Sequence, residues 1–243
     1  MKGTLNLQEL EINNNYSLSI RISSDGFSLS VLDQAGNVLV AREVPATLFQ
    51  MRKEEIIELF ETKMRVVLPD CSDVQLIVET NSYVFVPAPI FRTQDMDEYF
   101  YFQHPKDKTQ IVLFNRIQNW DMVNVFSLPL ELNKALNELF PDFAVAHHLS
   151  YFLSKKKITK EDGVYIWVRP KVMDAVVLKS GMLSLINSFA YQTAEDFTYF
   201  VLNIFDQLKL DTEKNAVKLY QRNNAKDFKG LISMYVNRCE IVH

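Results

Sequence analysis

The sequence predicts a mixed α/β (α+β) protein whose two halves repeat one order of elements. Each half opens with alternating apolar and polar residues broken by Asp-Gly or Ser-Gly turns, a pattern typical of antiparallel strands. A helix with one apolar stripe and a short apolar strand then follow in each half. The pattern recurs after about 145 residues when Gly36 is aligned with Gly181. These observations predict two halves, at residues 1–160 and 161–243.

The first half shows the order β-β-β-α-β before further elements. Its opening hairpin is indicated by Asp25 and Gly26, because Asp-Gly adopts the backbone angles that a tight turn needs. Less regular sequence at about 82–127, with strand-like runs, predicts an inserted subdomain. The remaining predictions are strands at 18–22, 27–31, 38–40, 74–78 and 143–147, helices at 52–65 and 130–140, and a helical turn at 149–153.

The second half repeats this order after a lysine-rich linker. Thr193 and Asp196 have a spacing close to that of a capping box, which predicts the start of a helix with Phe197 and Val201 in its buried stripe. Asn224 is expected to cap a last helix. The predicted strands of this half lie at 164–168, 174–178, 183–186, 217–220 and 240–242.

Composition and charge disfavour several classes of protein. The chain has 243 residues and a formal net charge of −4, whereas general nucleic-acid binders need clustered Lys and Arg. Its one basic cluster, residues 155–157 with Lys160, precedes a turn and is interpreted as a solvated linker. Cys71 and Cys239 lack CxxC spacing, so reduced cysteines and a cytoplasmic location are expected. The absence of a long apolar run predicts no membrane insertion.

Motifs of common catalytic and cofactor sites are missing from the sequence. The chain has six glycines and contains no GxSxG, HExxH, GxxxxGK[ST] or GxGxxG motif. His147 and His148 are predicted on one strand, where neighbouring side chains point to opposite faces and cannot share a metal ion. The sequence therefore predicts no catalytic residue, no metal site and no cofactor.

The repeated order of elements resembles the two RNase H-like halves of actin-like ATPases and sugar kinases. In that superfamily the first hairpin of each half carries Asp-x-Gly, which brings N–H groups and a metal-orienting carboxylate to the phosphates. Here Arg21 stands where the carboxylate would be, and Ser23 stands where the glycine would be. Residues 165–170 offer neither an acid nor a glycine, and residues 219–222 replace the paired glycines of the adenosine strand. The resemblance thus implies an actin-like fold whose nucleotide site is degenerate.

A more specific resemblance rests on the aromatic segment at residues 187–211, which begins NSFAYQTAEDFTYF, and on residues 83–89. This sequence resembles an uncharacterised domain-of-unknown-function family of Gram-negative bacteria. Members of that family are similar to actin-like ATPase folds, nearest to the pilus-assembly and secretion-platform branch. Because a fold does not imply a function, the resemblance leaves the reaction open.

The leading hypothesis is a protein that is not an enzyme and that binds a partner protein or serves as a scaffold. The partner's identity does not follow from the sequence. Its interaction candidates are Tyr99, Tyr101, Tyr191 and Tyr199, because tyrosine is enriched at interfaces. Aromatic residues at helical spacing also fit a buried core, so both interpretations of these tyrosines stay open.

The alternative hypothesis is a binder of nucleotides or phosphorylated metabolites, with or without catalysis, that uses unconventional residues in a cleft between the halves. Its candidates are Arg21, Ser23, Asp25 and Arg169. Arginine can hold phosphate through two parallel hydrogen bonds. The competing interpretations are an arginine paired with an acid and, for Asp25, a residue that serves only the hairpin turn.

Overall fold

The computed structural model of the protein describes residues 16–35, 37–63, 71–142, 144–154, 158, 161–221 and 228–242. The chain divides into two compact units, Met1–Ser154 and Lys155–His243. Three features named above lie outside the described residues: Gly36, the lysines at 155–157 and 160, and the helix cap Asn224. Among the described residues, no helix is long and apolar enough to span a bilayer.

The first unit contains eight strands and four α-helices within its described residues. In chain order these are β1 (Tyr16–Ser23), β2 (Gly26–Leu32), β3 (Val38–Val44), α1 (Lys53–Lys63), β4 (Cys71–Val78), β5 (Tyr83–Pro87), α2 (Met96–Tyr101), β6 (Gln110–Ile117), β7 (Met122–Pro129), α3 (Leu130–Leu139), β8 (Val145–His147) and α4 (His148–Ser154). Five strands form a sheet in the order β3-β2-β1-β4-β8. The first three strands are antiparallel, and β4 and β8 continue the sheet in parallel with β1.

The core of the first unit combines this sheet with α1 and α3. Alternate residues of β1, including Leu18 and Ile20, are fully buried, as a strand with one core-facing side requires. They share a cluster with Ile56 and Phe60 of α1 and Leu136 of α3. Both helices therefore place their apolar stripes against the sheet, as their sequence periodicity predicts.

A second sheet occupies residues 83–129, within and just beyond the segment that the sequence singles out as inserted. Its three antiparallel strands have the order β5-β7-β6. Val123 and Val125 of β7 pack with Phe100 of α2 in a small core of their own. This sheet and α2 thus have an apolar cluster separate from that of the five-stranded sheet.

The side chain of Asn115 joins the two sheets of the first unit. Asn115 lies on β6, and its Nδ2 donates to the carbonyl oxygen of Val145 on β8 at 3.1 Å. Its Oδ1 accepts the backbone N–H of His147 at 2.7 Å. Since β8 is an edge strand, Asn115 supplies hydrogen bonds that a further strand would otherwise make.

The second unit repeats the strand order of the first. Its elements are β9 (Gly163–Val168), β10 (Val172–Lys179), β11 (Met182–Ala190), α5 (Ala194–Gln207), β12 (Ala216–Tyr220), α6 (Phe228–Ile232) and β13 (Cys239–Val242). The sheet order β11-β10-β9-β12-β13 matches that of the first sheet strand for strand. The first three strands are again antiparallel and the last two parallel to β9. The predicted repeat of topology is confirmed.

Helix α5 begins at the predicted capping box. Thr193 Oγ1 accepts the N–H of Asp196 at 3.1 Å, and Asp196 Oδ2 accepts the N–H of Thr193 at 3.0 Å. The helix buries Phe197 and Val201 in the core of the second unit. The prediction of this helix from its cap and stripe is therefore confirmed.

The turn between β10 and β11 places a carboxylate against two backbone N–H groups. Ser180 and Gly181 both have positive φ angles, 54° and 71°. Asp162 accepts their N–H groups at 2.6 and 2.9 Å. These backbone hydrogen bonds lower the pKa of Asp162 below its ordinary value of 3.8.

We expect Asp162→Asn to reduce the acid sensitivity of the fold. A carboxylate whose folded-state pKa is lowered adds stability above its unfolded pKa, and that contribution is lost as the pH falls through the folded value. The difference in melting temperature between pH 6 and pH 2 should therefore be smaller in the variant. Asp97→Asn on α2, which has no such partners in the described residues, is the control and should retain the wild-type slope.

Candidate functional site

The first hairpin of the first unit carries three of the predicted site residues. Arg21 lies on β1, and its Nη1 is 3.1 Å from Oε1 of Glu79, which directly follows β4. The two strands run in parallel, and the N–H of Glu79 donates to the carbonyl oxygen of Ile22 at 2.8 Å. The Glu79 side chain is only 5% exposed. A buried acid of the same unit therefore pairs with Arg21.

The turn of this hairpin explains Ser23 and Asp25. The Ser23 hydroxyl lies 2.6 Å from Asp25 Oδ1 and 2.9 Å from the carbonyl oxygen of Gly26. A Cβ atom at Gly26 would lie 2.5 Å from the carbonyl oxygen of Val44, so the close approach of β3 requires glycine there. The structure thus brings Ser23 and Asp25 together in hydrogen bonds that belong to the turn.

The hairpin of the second unit carries Arg169, the fourth site candidate. Its Nε and Nη2 donate to the two carboxylate oxygens of Asp174 at 2.7 and 2.8 Å. Asp174 lies on β10 and is fully buried, and its Oδ1 also accepts the hydroxyl of Ser188. The carbonyl oxygen of Arg169 accepts the Tyr191 hydroxyl. The guanidinium is therefore used in a two-point ion pair, which is the strongest form of this contact.

The arginines of both hairpins, Arg21 and Arg169, therefore form ion pairs with acids of their own unit. Arg169 gives one N–H edge of its guanidinium to Asp174, so a phosphate that used this edge would have to displace the carboxylate. The sequence interpretation named neither Glu79 nor Asp174 as the partner of an arginine. A signal for Asp174 was present, since a single acid in an otherwise apolar strand requires a buried partner.

His147 and His148 correct one expectation from the sequence. They do not share a strand, because β8 ends at His147 and α4 begins at His148, and their ring centroids lie 4.4 Å apart. His147 Nδ1 accepts the N–H of Leu149, and its Nε2 is 3.1 Å from the carbonyl oxygen of Thr80. Both ring nitrogens of His147 are therefore occupied. Within the described part of the chain, no three His, Cys, Asp or Glu side chains form a group that could hold a metal ion.

The four tyrosine candidates have different environments. Tyr191 is 4% exposed and packs edge-on against Phe197 and Phe228, and this burial raises its pKa. It is a core residue, which corrects its assignment as an interaction candidate. Tyr199 lies on α5 and is 63% exposed, so its ring is available to a partner.

Tyr99 and Tyr101 lie on α2, beside the most exposed aromatic ring among the described residues. Phe102 follows the helix and is 89% exposed, and Ile90 is 59% exposed. The Tyr99 hydroxyl donates to the carbonyl oxygen of Ile90 at 2.7 Å. Apolar side chains exposed this far carry an energetic cost in water unless another surface covers them.

Comparison with solved structures defines the class of fold. A protein of Bacteroides thetaiotaomicron with an actin-like ATPase fold and unknown function matches 99% of this chain and 94% of its own, with 22% sequence identity and a TM-score of 0.78. A chain of the PilM–PilN type IV pilus biogenesis complex matches 93% of this chain and 88% of its own, with 12% identity and a TM-score of 0.50. The cytoplasmic domain of EpsL, from the type II secretion system of Vibrio cholerae, matches 90% of this chain and 94% of its own at 13% identity, with a TM-score of 0.46. The protein therefore has the actin-like ATPase fold.

The chain belongs to the DUF3822 family of proteins of unknown function, whose family model matches residues 6–238. No functionally curated protein matches it in sequence. The resemblance to an uncharacterised family with an actin-like fold, inferred from residues 83–89 and 187–211, is confirmed.

Proposed function

We propose that this protein is a partner-binding member of the actin-like fold whose nucleotide site is degenerate and that it does not act as an enzyme. The observation that carries the proposal is the use of both hairpin arginines in ion pairs, Arg21 with Glu79 and Arg169 with Asp174. A nucleotide that bound the same N–H groups would have to displace these acids and leave each carboxylate buried without its cation. That exchange is unfavourable in a low-dielectric site.

Exposed aromatic residues support the partner-binding part of the proposal. Phe102 and Tyr199 each expose more than half of their surface, and interfaces are enriched in such aromatic anchors. The fold also occurs in a chain of the PilM–PilN type IV pilus biogenesis complex, which assembles with another protein. The proposed setting is the cytoplasm, on the grounds of cysteine spacing and composition given above.

Calorimetry with ATP and Mg²⁺ tests the degenerate site. We expect no saturable heat at millimolar ATP, because binding to these arginines would compete with their ion pairs to Glu79 and Asp174. Micromolar binding that is lost in Arg21→Met and retained in Arg238→Met would overturn the proposal and favour the alternative of a nucleotide binder. Arg238 is an exposed arginine of the second unit and serves as the matched control.

Affinity capture from the native cell extract tests the partner. We expect a stoichiometric protein to be retained by the wild type and lost with Phe102→Ser or Tyr199→Ser. Met182→Ser is the control, because Met182 is 67% exposed on an edge strand of the second unit. Equal retention by all variants, or no stoichiometric protein at all, would contradict the assigned surfaces.

A further inference from the structure

A cavity of about 390 Å³ opens beside the three-stranded sheet of the first unit. It lies between the ends of β5, β6 and β7 and the segment that follows α2. None of its lining residues belongs to either hairpin described above. Its volume falls within the range of small-molecule sites.

Ser127 is the lining residue that most directly suggests a ligand-binding role for this cavity. Alternate residues of β7, Val123, Val125 and Ser127, share one face of the strand. Val123 and Val125 pack in the small core with Phe100, whereas Ser127, the next residue on this face, is polar and lines the cavity. A strand that only continued this core would place a third apolar side chain at that position.

The Ser127 side chain lines the cavity, and its hydroxyl has no hydrogen-bond partner among the residues that the structure describes. Ser127 is 4% exposed and lines the cavity, and only its backbone N–H is engaged, with the carbonyl oxygen of Ser82 at 3.1 Å. A hydroxyl can both donate and accept hydrogen bonds, and this one is reached from the cavity. A ligand group in the cavity would bond to it in place of water.

The other polar groups of the cavity define which ligand fits. The Ser82 hydroxyl and the amides of Gln50 and Gln110 line it, and no hydrogen bond engages these side chains within the described part of the chain. Thr109, through its hydroxyl and its N–H, lowers the pKa of Asp107 at the rim, so that this carboxylate is ionised at neutral pH. None of the described lining residues is a Lys or Arg, and Lys106 and Lys108 line the neighbouring groove that shares Asp107 with this cavity. The donors and acceptors therefore suit hydroxyl groups, and the Asp107 carboxylate disfavours an anionic ligand group placed beside it.

Flat apolar surfaces complete the lining. His104 stacks on Phe100 with ring centroids 4.4 Å apart, and Tyr101, Phe49 and Pro129 add further apolar area. Such surfaces pack against the C–H face of a sugar ring or against a nucleobase. Hydroxyl-binding groups and apolar faces thus occur together in one site.

We propose that this cavity binds an uncharged, hydroxyl-rich ligand with an apolar face, that is, a saccharide or an unphosphorylated nucleoside, with the hydroxyl of Ser127 as one of its hydrogen-bonding groups. The cavity shares no lining residue with the two arginine hairpins. A negative result for this site would therefore leave the partner-binding proposal unchanged.

The test is titration calorimetry of the full chain with glucose, maltose and adenosine, each paired with its phosphate counterpart where one exists: glucose 6-phosphate and AMP. We expect saturable binding of at least one uncharged compound and weaker binding of its phosphate ester. Binding of glucose or maltose would identify the ligand as a saccharide, and binding of adenosine would identify it as a nucleoside. Ser127→Ala should weaken binding about five- to tenfold, the loss expected for one hydrogen bond.

Two controls separate a ligand role from a structural one. Ser127→Ala should leave the melting temperature of the ligand-free protein unchanged or slightly higher, because the removed hydroxyl has no partner there. Ser184→Ala, an exposed serine of the second unit, should bind as the wild type does. Gln110→Leu provides a second variant of the cavity and should also weaken binding. The proposal is overturned if no uncharged compound binds, if the phosphate esters bind equally well, or if neither cavity variant changes the affinity.

Discussion

Arg169→Met should lower the free energy of unfolding by about 3–5 kcal/mol, the usual cost of removing one partner from a buried ion pair. The reason is that the carboxylate of Asp174, which is fully buried, would lose both hydrogen bonds from the guanidinium. The hydroxyl of Ser188 would still donate to the carboxylate, but the two charge-assisted hydrogen bonds would be lost. Urea denaturation of the wild type and the variant, followed by circular dichroism, measures the difference.

Two further variants show whether the loss comes from the uncompensated charge. Arg169→Met combined with Asp174→Leu removes both charges and should recover most of the stability, since apolar replacement of a buried pair is often neutral. Arg238→Met should change stability by less than about 0.5 kcal/mol, because its contact with Glu240 is 4.0 Å long and exposed. A loss for Arg169→Met no larger than that for Arg238→Met would show that the pair does not support the hairpin.

Asn115→Leu should lower the free energy of unfolding by about 2–4 kcal/mol, because it leaves two backbone groups without their hydrogen bonds. The N–H of His147 would lose its acceptor, and the carbonyl oxygen of Val145 would lose its donor. His147 is fully buried, so water does not replace the lost bond.

Tryptophan fluorescence can assign the destabilisation by Asn115→Leu to the first unit, because the chain has two tryptophans, one in each unit. Trp120 lies in the connection between β6 and β7, and Trp167 lies on β9 of the second unit. With Trp167→Phe as the background, fluorescence of Trp120 should report an earlier urea midpoint in Asn115→Leu. Asn119→Leu is the control, because the Asn119 side chain makes only an exposed 3.4 Å contact with the carbonyl oxygen of Ser154. Equal midpoints for both leucine variants would contradict the role of Asn115.

The repeated topology was predictable because its signals are local. Strand alternation, the turn at Gly26 and the capping box of Thr193 each depend on a few neighbouring residues. The extent of β11 was underestimated, since Asn187 and Ser188 interrupt its apolar run. Ser188 belongs to the strand because it pairs with Asp174 of β10, and its hydroxyl also contacts that buried carboxylate, a partner that no local pattern reveals.

The contacts of the candidate site were less predictable for the same reason. The resemblance to actin-like ATPases predicts that Arg21 stands where an acid would be, but the pairing of Arg21 with Glu79 joins positions 58 residues apart. The end of β8 at His147 likewise depends on Asn115, which is 32 residues away. Periodicity carries no information about such pairs, whereas burial of a polar residue within an apolar strand does point to their existence.

The two ion pairs also differ in when they can form during folding. Arg169 and Asp174 are five residues apart and meet within one hairpin, so their contact closes only a short loop. Arg21 and Glu79 meet only after β4 has docked in parallel beside β1, which is a non-local and slower step. The two five-stranded sheets have the same strand order. The ion pair of the second hairpin can nevertheless form early, because it is local, whereas that of the first hairpin forms only when its sheet is complete.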